Sequence, residues 1–569
     1  MNNLNTIDVH EFMTWDWTEI EPYYTELSKR NLNSGNVTHW LKDWSNLQEY
    51  VLETFNRLYV ATSVDTTDQE VEKKYNTFLD KIFPEALAAE QKLKEKLLSS
   101  KVEVTGFEVP LRNMRAESDL FCEENLPLQS EEIKLGAEYD KIIGAQTITW
   151  EGKEITVTQL KPIYQETDRS VREKAWRTTT SRQLADREAI NDLWPKFMSL
   201  RNKMAANKGF PNYRSYRWAQ LLRFDYTPDD AKQFDQSILE VVVPLAYQIY
   251  EKRRKRLGLD TLRPWDLDVD PLNRAPLRPF NETESLKSGT SRIFHRVDPQ
   301  LGKYFDIMQK EELLDLENRK GKAPGGYCID FPTIRRPFIF MNAVGIHDDV
   351  QTLLHEGGHA FHVFETAHLP YHQQMEVGME FAEVASMSME LLAAPYLVAE
   401  QGGFYSKEDA ARARIEHLEG AILFWPYMAV VDLFQHWVYE NHDAASNPDN
   451  CDRKWSELWD QYMVGVDWSG LEDEKSTGWH RKLHIHQVPF YYVEYGMAQL
   501  GAMQVWRNAM RDQSQAVSNY RKALSLGGTV PLPQLYATAG AKFAFESHTL
   551  SMACELAEDT INELETVVN

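Results

Sequence analysis

The chain has 569 residues, 43% of them hydrophobic, and a formal net charge of −24 at pH 7. That length exceeds what one compact core serves and implies two or more lobes. The acidic balance disfavours nucleic acid and anionic membrane as partners and otherwise serves solubility. The four cysteines, Cys122, Cys328, Cys451 and Cys554, form no CxxC pair and no metal-knuckle spacing, which points to free thiols in a reducing cytosol. The stretch Met1–Trp17 has no basic start followed by an apolar run. No signal peptide is expected, and the expected location is cytoplasmic.

In chain order, Ser45–Val64, Phe78–Ser100 and Ser170–Gly209 carry apolar residues at helical spacing, the last stopping where Gly209 precedes Pro211. Between them, two β-rich runs flank Glu151–Gly152 and predict a hairpin near 141–160. Pro271–Ser285 is polar and proline-rich and reads as an irregular connection. A glycine-rich loop, Gly321–Gly326, then precedes Tyr327–Gly345, which reads as two strands. The most apolar window, Ala421–Phe434, is too short to span a bilayer and is interrupted by Pro426 and Asp432, so a buried core helix is expected. The pattern predicts a mainly α protein with a small β-sheet beside a histidine-bearing helix. The expected division is an N-terminal helical lobe, 1–200, and a larger domain, 201–569.

The histidine-bearing helix holds "LLHEGGHAFH", Leu353–His362. Four residues turn a helix by roughly 400°, so His355 and His359 share one face about 6 Å apart along the axis. Both imidazoles can then reach one ion, and zinc accepts histidine nitrogen readily. Glu356 projects beside the pair, placed to take a proton from an activated water without ligating the metal. Asp348 and Asp349 favour a helix start just ahead. The adjacent Gly357 and Gly358 are unexpected, since each costs about 1 kcal/mol against alanine in a helix interior. Their smallness implies close packing of another backbone, with the Tyr327–Gly345 sheet or a bound peptide as the candidates.

A catalytic zinc keeps three protein ligands and an open position. Position 362 is histidine and position 365 glutamate, which excludes the metzincin pattern. The helix expected over Met375–Leu397 carries Glu376, Glu380, Glu383 and Glu390 among Met, Phe, Val, Ala and Leu, and carboxylates in such surroundings need partners. Glu383 lies 24 residues past His359, enough for the chain to fold back. Further on, His484–Gly496, "HIHQVPFYYVEYG", gathers histidines and phenols able to donate to an oxyanion.

These three motifs, "HEGGHAFH", "EFAEVAS" and "HIHQVPFYYVEYG", resemble in this order the thimet oligopeptidase / oligoendopeptidase F family of zinc metallopeptidases, most of all its bacterial oligoendopeptidase F branch. The likeness is dense from Gly321 to Met503 and looser upstream. It implies a two-lobed helical zincin-type fold, a deep substrate channel, one zinc ion, and cleavage of short unfolded peptides. Under it, His355, His359 and Glu383 fall on the metal ligands and Glu356 on the general base. His484, Tyr491 and Tyr495 fall on groups that hold substrate and oxyanion. His486 also precedes the tyrosines, but His484 has the matching distance to Pro489–Tyr491. The loop Gly321–Gly326 and the strand after it fall on the channel wall that pairs with substrate backbone.

Three other readings stand beside this one. A zinc carboxypeptidase or dipeptidyl carboxypeptidase with the same ligands would need a cation for the substrate C-terminus, with Arg335 and Arg336 as candidates. A di-iron site could use Glu356-x-x-His359 and Glu365-x-x-His368, but these sit about 13.5 Å apart along what reads as one helix. A non-catalytic peptide-binding protein would not need Glu356.

Overall fold

The computed structural model describes residue 4 and residues 7–568. Helices dominate, and two of the expected helical stretches are broken. Phe78–Ser100 divides into Gln69–Lys81 and Phe83–Ser100, because Pro84 has no amide to continue a helix and sits instead in the first turn of a new one. Ser170–Gly209 divides into Arg169–Leu184 and Arg187–Asn207. Ser45–Val64 extends upstream to form one helix, Val37–Val64. Pro271–Ser285 is irregular as far as Glu282, and its last residues open the helix Thr283–Val297.

The hairpin around Glu151–Gly152 is present: β1, Thr147–Trp150, pairs antiparallel with β2, Lys153–Thr156. Its two turn residues have φ of 50° and 80°, as a two-residue turn between twisted strands requires. A three-stranded sheet contains β3, Leu314–Glu317, β4, Tyr327–Phe331, and β5, Arg336–Ala343, in the order β3-β5-β4. β5 is central, parallel to β3 and antiparallel to β4. β4 and β5 are the two expected strands. β3 was not expected, since its four residues are too few to display a period.

β5 delivers the chain to the motif helix, His347–Thr366, through Val344–Ile346. Asp349 fixes that corner, its Oδ2 accepting the amides of Val344, Gly345 and Ile346 at 2.8, 2.7 and 2.9 Å. Three otherwise orphaned donors at the helix start are thereby satisfied. The chain folds back after a 3-10 turn, His372–Gln374, and forms a second helix, Met379–Ala393. This helix is shorter than the Met375–Leu397 expected from sequence. Gly378 begins it, so Glu376 lies ahead of it, and Pro395 sits in a separate 3-10 turn beyond it. The window Ala421–Phe434 is inside a 34-residue helix, Lys407–Glu440, whose middle is buried.

The largest apolar core surrounds the motif helix, the sheet and the helices behind them, with Phe361, Phe381, Trp425 and Phe434 fully enclosed. A smaller core around Trp40, Trp44, Leu93 and Phe107 holds the N-terminal helices together.

The glycine pair is explained by this packing. A Cβ on Gly358 would lie 2.5 Å from the carbonyl oxygen of Ala385 and from the Cα of Ser386. The backbone in question therefore belongs to the helix Met379–Ala393, not to the sheet or a substrate. At Gly357 the added carbon would meet the tip of the Phe294 ring at 2.4 Å. A ring tip can yield; a helix backbone cannot. Gly420, in the long helix, has nothing near its absent Cβ. Urea unfolding of the three alanine variants should rank accordingly. Gly420→Ala should gain about 0.5–1 kcal/mol from helix propensity. Gly358→Ala should lose at least about 1–3 kcal/mol by overpacking, and Gly357→Ala should fall between. A Gly358→Ala protein as stable as Gly420→Ala would contradict the account.

Candidate active site

The motif helix and the helix Met379–Ala393 bring His355, His359 and Glu383 together. Nε2 of His355 is 3.3 Å, and Nε2 of His359 3.4 Å, from Oε2 of Glu383. Ligands at zinc–nitrogen distances in tetrahedral geometry are separated by about 3.3 Å, so this spacing fits such an ion. Among the described residues this is the one cluster of three whose donor atoms lie within 4.8 Å of one another. The carboxylate of Glu383 is 1% exposed. A buried carboxylate facing two imidazoles is a donor set built for a cation.

A second layer orients these donors. Nδ1 of His355 is 2.7 Å from Oε1 of Glu390, whose Oε2 is 2.7 Å from Nε2 of His417. A carboxylate on Nδ1 holds the proton there and leaves Nε2 as a lone-pair donor. Burial works against ionisation of Glu390, but hydrogen bonds from His355 and His417 hold its carboxyl down to about 2. Ser386 donates to Oε2 of Glu383 at 2.9 Å, and the Tyr491 hydroxyl to Oε1 at 2.5 Å.

The acidic stripe thus has separate uses. Glu383 and Glu390 serve the histidines. Glu380 accepts from Tyr226 at 2.8 Å and faces the buried Arg223 at 3.5 Å. Glu376 lies 3.5 Å from His372. Sequence reading found Glu390 but gave it no role, and it missed His417 and Ser386. No local pattern links Glu390 to His417, because they sit on different helices.

Glu356 is buried, and its Oε2 has no hydrogen-bond partner. Burial raises its carboxyl above the ordinary range, although His355 and His359 pull the other way. It faces Gly326, where an added Cβ would lie 3.5 Å from its Oε1. Glu356, the two histidines, Glu383, Tyr491 and Tyr495 line one cavity of about 400 Å³, with Tyr327–Asp330 of β4 as a wall. β4 is an edge strand. The Asp330 carbonyl accepts from Asn56 at 2.8 Å, so by strand alternation the peptide groups of Cys328 and Asp330 point away from β5.

The phenols arrive through a strained bend. Phe490 has φ of 66°, a conformation bulky residues rarely adopt. Gln435 accepts its amide at 2.7 Å, and Arg223 donates to its carbonyl at 2.5 Å. Its buried ring packs near His436 and Tyr439. Such over-determination is what a strained backbone needs to persist, and here it begins the helix Tyr492–Arg511 with Tyr491 directed at Glu383.

His484 lies beside these tyrosines, with Nε2 3.3 Å from the Tyr495 hydroxyl. Burial, reinforced by Lys482, pushes its pKa down to about 3, so at neutral pH it is an uncharged imidazole with one N–H to give. His486 is elsewhere. It is buried between the rings of Tyr139, at 4.5 Å, and Trp479, at 5.7 Å, and is a core residue.

The other candidate groups are engaged outside the cluster. Glu365 pairs with Arg521 at 2.7 Å, and His368 contacts the Glu365 carbonyl at the helix end, so the second Glu-x-x-His pair faces no first pair. Arg336 pairs with Glu311 at 2.7 Å. Arg335 lines the cavity but is paired with Glu49 at 2.6 Å. All four cysteines are free, and no helix of the described residues is long and apolar enough to cross a membrane.

Known proteins resemble this chain in sequence and fold. Residues 163–553 match the family model described as Peptidase family M3, and residues 10–105 match its Peptidase M3 N-terminal domain. The chromosomal oligoendopeptidase F of Lactococcus lactis subsp. cremoris is 24% identical over 63% of this chain and 58% of its own length. Oligopeptidase PepF of Bacillus subtilis (strain 168) is 22% identical over 63% of this chain and 52% of its own. These two alignments therefore span little more than half of each relative. The solved structure of PZ peptidase A with inhibitor 2 superposes with a TM-score of 0.91 at 27% identity, over 96% of this chain and 97% of that one. With the Peptidase family M3 model matching residues 163–553, more than half of the chain, and the fold shared over 96% of it, this chain belongs to peptidase family M3.

Proposed function

We propose that the protein is a zinc-dependent endopeptidase that hydrolyses short, unfolded oligopeptides, with Glu356 as general base. The observation that carries this reading is one cavity holding the His355/His359/Glu383 triangle, the unpartnered carboxylate oxygen of Glu356 and the edge strand β4. His355, His359 and Glu383 would hold the ion, which when bound supplies Lewis acidity toward water and the scissile carbonyl.

This chain's own residues do the rest. The β4 edge offers the amide and carbonyl of Cys328 and the amide of Asp330, whose carbonyl is taken by Asn56, to an extended substrate, fixing it by its main chain rather than its side chains. Glu356, with its carboxyl raised by burial, takes the proton of the attacking water and returns it to the leaving amine. Tyr491, Tyr495 and the uncharged His484 are the donors available to the developing oxyanion. Glu356 and Glu383 are 6% and 1% exposed, so the reacting bond must come to the cavity floor. An extended chain can do this and a folded domain cannot. The ion pairs of Arg335 with Glu49 and Arg336 with Glu311 favour the endopeptidase reading over the carboxypeptidase one, which would use these arginines for a substrate C-terminus.

The deciding experiment is digestion of unmodified and C-terminally amidated peptides of graded length, read by mass spectrometry, with and without a chelator. Internal cuts in short peptides, amidated ones included, that vanish on chelation are expected. Loss of C-terminal residues alone would replace the endopeptidase reading with the carboxypeptidase one. Among variants, Glu356→Gln should retain the metal and lose most turnover, whereas His355→Ala and Glu383→Ala should lose the metal. Tyr491→Phe should lower kcat by about 10²–10³; an unchanged kcat would remove Tyr491 from the scheme. Glu390→Gln should weaken metal affinity by about 10–100-fold in a competition titration, the cost of a lost outer partner to a ligating histidine.

A further inference from the structure

We propose that a second cavity beside the catalytic one is a subsite for a cationic group of the bound peptide, held by Asp140. The occupant is a lysine or arginine side chain, or the peptide's terminal ammonium. The proposal rests on the peptidase reading above.

This cavity, of about 250 Å³, lies among the helices Val37–Val64, Gln69–Lys81 and Leu126–Gly144 and the segment Gln487–Val488. Tyr59, Tyr75, Ile133 and Val488 give it apolar walls suited to the stem of a long side chain. It adjoins the catalytic cavity. Tyr59 lines one and Tyr327 the other, and their rings are 5.4 Å apart. Two chain segments also run from one to the other: Ala323 to Gly326, and Val488 to Tyr491. Three residues of extended chain span about 10 Å. The second cavity is thus within a few residues' reach of a peptide lying on the β4 edge, past the Tyr59–Tyr327 ring pair.

Charge selects the occupant. Most carboxylates around the cavity are already used. Asp65 accepts the Thr67 amide at 2.9 Å, and Asp68 caps the helix Gln69–Lys81. Glu72 is paired with Lys141, and Glu132 with Arg201 at 2.7 Å. Asp65 and Asp68 lack a cation but each accepts two hydrogen bonds from its own turn. Asp140 accepts from Gln487 at 2.7 Å and has no cation in ion-pair range among the described residues. Burial pushes its carboxyl up to about 6, with only the Gln487 bond opposing. A part-buried carboxylate without a counter-ion gains from an incoming cation. The net charge of −24 draws cationic peptides toward it.

The test is a peptide series in which one arginine moves along the positions flanking the cut, each member paired with its citrulline analogue of equal shape and no charge. Each pair is measured with a free and an acetylated N-terminus. At one position native protein should favour arginine by about tenfold or more in kcat/KM, the worth of one charged hydrogen bond. A preference that follows the free terminus instead assigns the subsite to the terminal ammonium. Asp140→Asn, which keeps an acceptor for Gln487, should abolish the ratio, and Asp140→Glu should retain part of it. Preference for arginine or a free terminus at no position, or a preference that survives in Asp140→Asn, would overturn the proposal. Fluorescence anisotropy of the same peptides runs in parallel. If nothing is cut, the peptidase reading fails and binding alone decides the subsite. A charge preference lost in Asp140→Asn then upholds it, and equal binding of charged and neutral peptides overturns it.

Discussion

The contact on which the structure depends is the approach of two helix backbones at Gly358. With no side chain there, the motif helix comes close enough to Ala385 and Ser386 for a Cβ to be impossible. Glu383 is one turn or less from that contact, so its carboxylate falls opposite the two histidines rather than a layer away. Any larger residue would open the gap and lengthen both histidine–carboxylate distances together. A glycine that weakens the helix locally is retained because the site needs the space it leaves.

Around that contact the protein buries several charged and polar groups and pairs almost all of them. Glu383, Glu390, His355 and His417 form a chain of alternating acids and imidazoles spread over three helices. Each member satisfies the next, which is what lets charged groups persist in a dry interior. Asp349 does similar work with backbone amides at the start of the motif helix. Glu356 is one exception: one of its buried oxygens is unpartnered, as are Nε2 of His362 and Oγ of Ser388. An unpaired acceptor costs stability where it stands, and the position of Glu356 at the cavity wall gives that cost a use in the proposed chemistry.

The second face of the cavity is built by strain rather than by regular structure. Phe490 holds a left-handed backbone because its amide, its carbonyl and its ring are each fixed by another element. The bend turns Tyr491 toward Glu383 and leaves His484 beside Tyr495, while His486, two residues from His484, is stacked into the core. One short segment thus supplies both a set of polar donors and the aromatic packing that holds them in place.

The sequence by itself determined most of the elements and the chemical types. Helical spacing put His355 and His359 on one face, the alternating runs located the β1–β2 hairpin and the β4–β5 pair, and the three motifs in order carried the family resemblance. These features are local: each is written within a few turns or strands, where the period of the backbone is fixed. Only the tertiary structure decided which backbone needed Gly358, which of the four glutamates meets which partner, that His486 is a core residue, and that Asp140 faces a cavity with Gln487 as its partner. Those outcomes depend on residues tens to hundreds of positions apart. They are set by how closely the helices pack and by which buried charges then find one another, and no local period in the chain encodes that.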